Sequence, residues 1–363
     1  MKKINIFLIG LIIFCLAVIA VEAFPLLNIN TNSSSGTMAD SGSCSVVVGG
    51  DVMLGRKTAG VISESNQPFA DINDIVSKSD IFLFNLESPL TTSSDNHKKD
   101  VPLKGNPDLA KYINVNQNTV AALANNHAFD YGQQGMDDTI NTLNNLGIKH
   151  TGAGHNIEEA TEPVTINTGN RTVTIINCMD QENFDEYGQD QIPQATSNGS
   201  GFAPVDFDRT NQQIKDAKTN SDIVIAYLHY GNEYSTSPNA RQKEISHTLI
   251  DQGADVVIGS HQHVAQGFEV YNDKPIFYGL GNFVFDQSNV ATHSSLMLKL
   301  DFVDNHCKIT IYPLTLVNYL PQQMGVSDGK SFLNSLNPQS DQVKIQDDGT
   351  GIIEYNLTNN KTN

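Results

Sequence analysis

VVIGSHQHVAQ, residues 256–266, sets an apolar run directly before two histidines separated by one residue. Val256, Val257 and Ile258 read as a buried strand that closes at Gly259 and Ser260. Imidazole is polar and titrates near neutral pH, so a core strand ending on two of them is presenting ligands or acid–base groups. Strand alternation would aim both rings to one side. The strand at 255–259 has counterparts at 45–50, 80–86, 119–124, 172–178, 222–229 and 275–280, short β-branched runs bounded by Gly, Asp and Asn. Helical periodicity lies between them. Met136, Ile140, Leu143 and Leu146 repeat within 133–146 and stop at Gly147, and further helices are expected over 207–219 and 238–252, the latter with Pro238 near its start. Residues 296–319 return to strand-like alternation and complete the sheets. This order predicts a layered α/β fold with largely buried strands.

The other strand ends carry the same kinds of residue. VVVGGDVMLGR ends a strand with Asp51 and IFLFNLESPL ends one with Glu87. VAALANNHAFDYG supplies Asn125, Asn126, His127 and Asp130, and IVIAYLHYGNEY supplies His229. In an open α/β sheet the strand termini on one edge form the crevice where ligands sit. Carboxylates, an Asn and histidines gathered there suit divalent metals, and two ions about 3.5–4 Å apart can hold a water and both oxygens of a displacement. Each element also has an ordinary reading. A strand-end acid often caps a helix, an Asn-Asn-His triplet often makes a turn, and a lone His is often a satisfied core residue. The same pattern at five strand ends is hard to attribute to chance.

With 363 residues, 39% of them hydrophobic, the chain has length for one large or two modest domains. Its net charge of -18, from 40 acids against 22 bases, leaves no basic footprint for nucleic acid. An anionic substrate would need a positive site supplied by metal ions or a few Lys and Arg. Lys2 and Lys3 precede INIFLIGLIIFCLAVIAVEAFPLL, apolar except for Asn5 and Glu22. At roughly 1.5 Å per residue this run can cross the ~30 Å of a bilayer core, yet Val21-Glu22-Ala23 resembles a signal-peptidase site. Residues 1–27 thus fit a signal anchor, a single span in the cell membrane with the domain outside, or the cleaved signal of a secreted protein. Residues 28–43 read as a flexible linker, 44–321 as the α/β domain, and 322–363 as a loosely packed polar tail with a strand at 351–357. Cys15, Cys44, Cys178 and Cys307 include no CxxC pair and make neither a disulfide scaffold nor a zinc ribbon.

The order Asp, acid, Asn-His, His, His-x-His resembles the calcineurin-like metallophosphoesterase superfamily. More closely, GDVMLGR, NLESPLT, ANNHAFDYG, GIKHTGAG, LHYGNEY, GSHQHV and YGLGNFVFD are similar to the CapA-type poly-γ-glutamate capsule proteins, in order from residue 45 to 290. The resemblance implies a layered α/β/β/α sandwich of the metallophosphatase type. It implies one or two divalent ions (Mn, Zn, Fe or Mg) with Glu87 bridging, Asp51 and His263 on one ion, and Asn126, His229 and His261 on the other. His127 would be the general acid or oxyanion stabiliser and Asp130 its orienting carboxylate. Met53 stands where the superfamily usually has a further His, so the ion of Asp51 and His263 would be weak, absent or of a harder kind. Arg56, Asn85 and Lys104 are the candidate substrate contacts, with Lys98 and Lys99 in the same basic stretch as Lys104. The remaining histidines, His97, His150, His155, His247, His293 and His306, read as structural or surface residues. The implied role is in making, exporting or anchoring poly-γ-glutamate or a related anionic surface polymer by metal-assisted hydrolysis, with capsule-synthesis membrane proteins as partners. The rival readings are a non-catalytic polymer-binding accessory protein and a general phosphoesterase.

Overall fold

Two β-sheets organise the chain in a computed structural model that describes residues 42–96, 101–169, 171–181, 192–336 and 343–357. The apolar segment 1–27, most of the linker, and His97, Lys98 and Lys99 lie outside the described residues. The larger sheet runs Lys344–Ile345, Gly351–Asn356, His306–Val317, Ser294–Val303, Cys44–Val52, Ile81–Leu86, Thr119–Ala122 and Lys149–Thr151, with Asn282–Val284 and Leu320–Gln323 attached at its side. From Cys44–Val52 to Lys149–Thr151 its neighbours are parallel. The second sheet runs Val164–Thr168, Arg171–Met179, Ile223–His229, Val256–Ser260, Lys274–Phe277 and Phe268–Tyr271, with a parallel centre.

Alternation within each strand decides the layers. Val46, Val48, Ile81, Leu83 and Val120 of the large sheet share one core with Val173, Ile175, Ile223, Ile225, Val256 and Ile258 of the other. The opposite faces point outward. Val47, Phe82, Phe84 and Ala121 meet Ile62 of the helix Arg56–Ser65 and Met136, Ile140 and Leu143 of the helix Gly132–Leu146. Val224, Ala226, Leu228 and Val257 meet Ile214 and Ala217 of Phe207–Asn220 and Ile245 and Leu249 of Ala240–Gln252. Two sheets face each other with helices outside both. This double covering is why Ile223–His229 is buried at every position and reads as an unbroken apolar run.

Helix ends follow local chemistry. The Asp206 side chain accepts from the backbone N–H groups of Asp208 and Arg209, and Asn239 forms a capping box with Gln242. That box places the helix start at Ala240, with Pro238 just outside it. Gly147 and Gly253 close their helices at φ of 70° and 118°. The helix Arg56–Ser65 was not foreseen, because Gly55 offers no capping side chain and only Thr58 and Ile62 of its residues are buried. Cys44, Cys178 and Cys307 are all buried and free.

Residues 322–357 differ from the expected loose tail. The strand at 351–357 is present, yet it is part of the large sheet, pairing antiparallel with His306–Val317 from His306↔Asn356 to Ile311↔Gly351. Gly351, Ile353 and Tyr355 face inward while Glu354 and Asn356 face solvent. Helix Val326–Leu336 adds Leu333 and Leu336 to the core between the sheets. The expected boundary at 321 therefore cuts through a packed unit whose polar composition comes from its outward positions. Ending the chain at residue 321 would remove several core side chains, each worth about 1.5–3 kcal/mol. The sum rivals the 5–15 kcal/mol typical of a whole domain. Thermal unfolding of the shortened protein should show loss of the cooperative transition.

Candidate metal centre

The carboxyl ends of parallel strands from both sheets meet at one place. Asp51 lies in register with Asn85 on the neighbouring strand. The Glu87 amide donates to Val52 O at 2.8 Å, which carries that pairing just past the strand end. From the second sheet come His229, the last residue of its strand, and the Ser260–His263 turn. The ligand atoms of Glu87, His229 and His261 lie within 4.8 Å of one another, and those of Asp51, Glu87 and His263 do so as well. Glu87 belongs to both groups, and all five residues are buried. Asn126 joins the first group, its Oδ1 2.9 Å from His229 Nε2.

Surrounding hydrogen bonds select the ring nitrogens that face the centre. The Ser260 hydroxyl donates to Leu228 O at 3.1 Å, so its oxygen accepts from His229 Nδ1 at 3.0 Å. That tautomer turns the Nε2 lone pair toward Asn126 Oδ1, a spacing that suits two neighbouring donors to one ion. His263 Nε2 lies 3.6 Å from Glu87 Oε1. Glu87 Oε1 is fully buried and has no hydrogen-bond partner among the described residues. Once ionised, a buried carboxylate oxygen with no hydrogen-bond donor costs several kcal/mol, and a cation held between Glu87 and the imidazoles would remove that cost.

Protonation tells the same story. Burial pushes the Asp51 carboxyl up against the opposing pull of His263. Burial pushes Glu87 well above the ordinary carboxylate range, and the adjacent Asp51 charge adds to it. Burial holds His261 well below the usual imidazole range, with His263 and His127 adding repulsion. A divalent cation binds a neutral imidazole and ionised carboxylates, so binding here would displace the protons that burial favours on Asp51 and Glu87. The residues fit such an ion.

Backbone conformation corrects one expectation. The strand ends at Ser260, so alternation does not aim the two imidazoles. His261 and His263 both have positive φ, 101° and 59°. This left-handed backbone costs of order 1–3 kcal/mol at each residue and persists where surroundings impose it. Here Tyr234 N–H donates to Gln262 O at 2.9 Å, and the His261 amide reaches Asp51 Oδ2 at 3.4 Å. The rings end 6.3 Å apart, one in each ligand group. Met53 is fully buried in an apolar cluster with Leu103, Phe285 and Leu316.

Beside the ligands, His127 Nδ1 contacts Asp130 Oδ2 at 2.6 Å, and the same oxygen accepts from Leu103 N–H at 2.6 Å. A profile of known sequences described as bacterial capsule synthesis protein PGA_cap matches residues 45–287. The chain belongs to that family. It is 34% identical over 262 residues to the PGA biosynthesis protein CapA of Bacillus subtilis, covering 70% of this chain and 67% of that one. It is 31% identical over 284 residues to the capsule biosynthesis protein CapA of Bacillus anthracis, covering 75% and 67%. Among solved structures, a putative 5'-nucleotidase from Staphylococcus aureus is a distant likeness at 15% identity and a TM-score of 0.45, covering 83% of this chain and 59% of that one.

In this PGA_cap chain the three expected substrate contacts fall in different places. Asn85 is fully buried. Its amide donates to Asp51 Oδ1 at 2.8 Å and Glu87 Oε2 at 3.2 Å, and its Oδ1 accepts from Asn125 at 3.0 Å. Asn125 Oδ1 in turn accepts from His127 N–H at 3.1 Å, so two asparagines brace the carboxylates against the His127 turn. Arg56 is at the rim, paired with Asp286 through Nε at 2.9 Å and through Nη2. It lies over Phe285, whose ring is 4.9 Å from that of His263. Its fork is therefore already engaged. Lys104 donates to Ser93 O at 3.0 Å and sits over the Tyr131 ring, on the segment that holds Asp130 through Leu103. Tyr234, with its ring 6.1 Å from His263 and its phenol pushed up to about 12 by burial and Glu233, was missed; its only signal was its place in LHYGNEY. His150, His155, His247, His293 and His306 stay outside the site, bound to Asn144, Glu159, Glu269, Gln287 and Glu354.

Proposed function

We propose that this chain is an exported metal-dependent hydrolase of metallophosphatase type acting in the synthesis, export or anchoring of poly-γ-glutamate or a similar anionic surface polymer. The observation that carries the reading is the single Glu87 carboxylate shared by two buried ligand groups, beside a His127–Asp130 pair at 2.6 Å. The names of the two CapA relatives support the capsule role, and the apolar segment at 4–27 supports export, as a membrane anchor or a cleaved signal. Divalent ions bound there would supply Lewis acidity and a water nucleophile at neutral pH. The group of Glu87, His229, His261 and Asn126, rich in nitrogen, suits Zn, Fe or Mn, and that of Asp51, Glu87 and His263 suits Mn or Mg.

The protein's own residues do the rest. Asp130 holds the His127 ring with its proton on Nδ1, and stabilises the cation when Nε2 carries a second proton. His127 can then pass the Nε2 proton to the leaving oxygen of a phosphoester or the leaving nitrogen of a γ-glutamyl amide. Asn85 and Asn125 fix the carboxylates and the His127 turn in one frame. A long anionic substrate that engages Arg56 would compete with Asp286 for its guanidinium, and one that engages Lys104 would compete with Ser93 O.

A second reading, a polymer-binding accessory protein, draws on Met53, which occupies its position with apolar packing instead of a ligand. Purified full-length protein loaded with Mn, Zn or Fe separates the two. Wild type should bind metal and release product from a model phosphodiester, a phosphomonoester or poly-γ-glutamate, and His261→Ala should lose both properties. Poly-γ-glutamate binding without product from any substrate would establish the accessory reading. Metal below one ion per chain would sink both.

A further inference from the structure

Asn282 opens the strand Asn282–Val284, which lies parallel to Cys44–Val52 with Asp51 opposite Asn282. It is fully buried on the same rung as a metal-site carboxylate. Its Oδ1 is 2.9 Å from His263 Nδ1. Its Nδ2 donates to Thr292 O at 3.2 Å and to Gln287 Oε1 at 3.0 Å. Thr292 O is a backbone carbonyl and can only accept, which fixes the amide orientation: nitrogen toward Thr292, oxygen toward His263. The His263 nitrogen facing that oxygen must carry the proton. Its lone pair is then on Nε2, the atom 3.6 Å from Glu87 Oε1.

We propose that Asn282 is a positioning residue that sets the tautomer and ring direction of His263, and so makes the Asp51–Glu87–His263 group competent for a cation. This rests on the metal reading above. His263 sits on left-handed backbone just past a strand end, so its main chain alone does not determine where the ring points. Asn282 supplies the missing constraint from another strand. The Glu87–His229–His261 group has its own orienting partner in Ser260 and does not depend on Asn282. Losing an outer partner of a ligating imidazole typically costs 10–100-fold in metal affinity.

Full-length wild type, Asn282→Leu and Asn282→Asp would be titrated with Mn by calorimetry, and the His263 tautomer read from histidine ¹⁵N chemical shifts of the metal-free proteins. Asn282→Leu should weaken one of two Mn ions by about 10–100-fold and leave the other unchanged. It should also move His263 away from the Nδ1–H form. Asn282→Asp retains an acceptor and should keep Nδ1–H and both ions. Asn282→Leu with two ions at wild-type affinity, or wild type with His263 in the Nε2–H form, overturns the proposal and leaves the metal centre standing. Wild type that binds no Mn, Zn or Fe overturns the metal reading and this inference together. If Asn282→Leu does not fold, Asn282→Asp decides: retained Nδ1–H with both ions supports the role, and a folded variant that loses either overturns it.

Discussion

Glu87→Gln is expected to abolish binding at both ligand groups at once, a larger loss than any other single ligand change, because only Glu87 is common to both. Gln keeps the shape but offers one neutral oxygen where a shared anionic carboxylate stood. Affinity at each group should fall by more than the roughly 10–100-fold that losing an outer partner costs. Equilibrium dialysis against Mn or Zn checks it. The metal-free variant should at the same time be more stable than metal-free wild type near neutral pH, and the sign follows from protonation. The folded carboxyl of Glu87 is raised well above its ordinary value by burial and by Asp51. In the unfolded chain Glu ionises from about pH 4.3, whereas the folded group holds its proton to higher pH. Below that window Glu87 adds no penalty. As pH rises through it, the native state becomes less stable by up to about 1.4 kcal/mol per pH unit, until the folded group also ionises. Denaturant titrations of both metal-free proteins should thus diverge as pH rises above ~4.3. Saturating metal should reverse the order, since only wild type gains binding energy. Parallel pH profiles would mean that the folded Glu87 carboxyl is not raised, and unchanged metal binding in Glu87→Gln would remove Glu87 from the centre.

Much of this arrangement could be read from residue types alone. Five strand ends carrying Asp51, Glu87, the Asn126–His127 turn, His229 and the His261–His263 pair require a common edge, since parallel strands send their carboxyl ends the same way. The unbroken apolar runs gave the doubly covered sheets for a related reason, because strands buried on both faces have no polar positions to alternate with. What could not be read depends on backbone angle or on distant pairing. The positive φ at His261 and His263 leaves no trace in residues that rarely adopt it, so both rings were placed by an alternation that had already ended. Asn282 lies 19 residues beyond its imidazole partner and is a common residue type in a loop-like stretch. Asn85 is a candidate substrate contact by sequence; only packing shows that its amide donates to two carboxylates. The strand Gly351–Asn356 is polar on its outer positions, and that polarity concealed a core-facing Ile353 and Tyr355.

His127→Ala should lower kcat by about 10²–10⁴-fold while leaving metal content unchanged, the range a positioned proton donor contributes. The separation of the two effects is the informative part. His127 belongs to neither ligand group, and its imidazole is tied to Asp130 at 2.6 Å. Removing it takes away the proton for the leaving group and none of the cation's ligands. Asp130→Asn tests the same pair from behind. An amide facing Nδ1 can donate to it, and that would leave the ring proton on Nε2 with no lone pair available there to take up a proton. A loss in kcat comparable to that of His127→Ala, again with full metal content, is expected from the wrong tautomer alone. Substrates with good leaving groups should resist both changes, since a nitrophenolate needs little help from an acid, whereas an alkyl phosphoester or an amide needs much. Measuring kcat on a nitrophenyl and an alkyl phosphodiester in wild type and both variants gives the contrast. Equal losses on the two substrates would mean that His127 stabilises charge on the reacting group and does not deliver the proton. Loss of metal in His127→Ala would instead make the pair part of the cation's support.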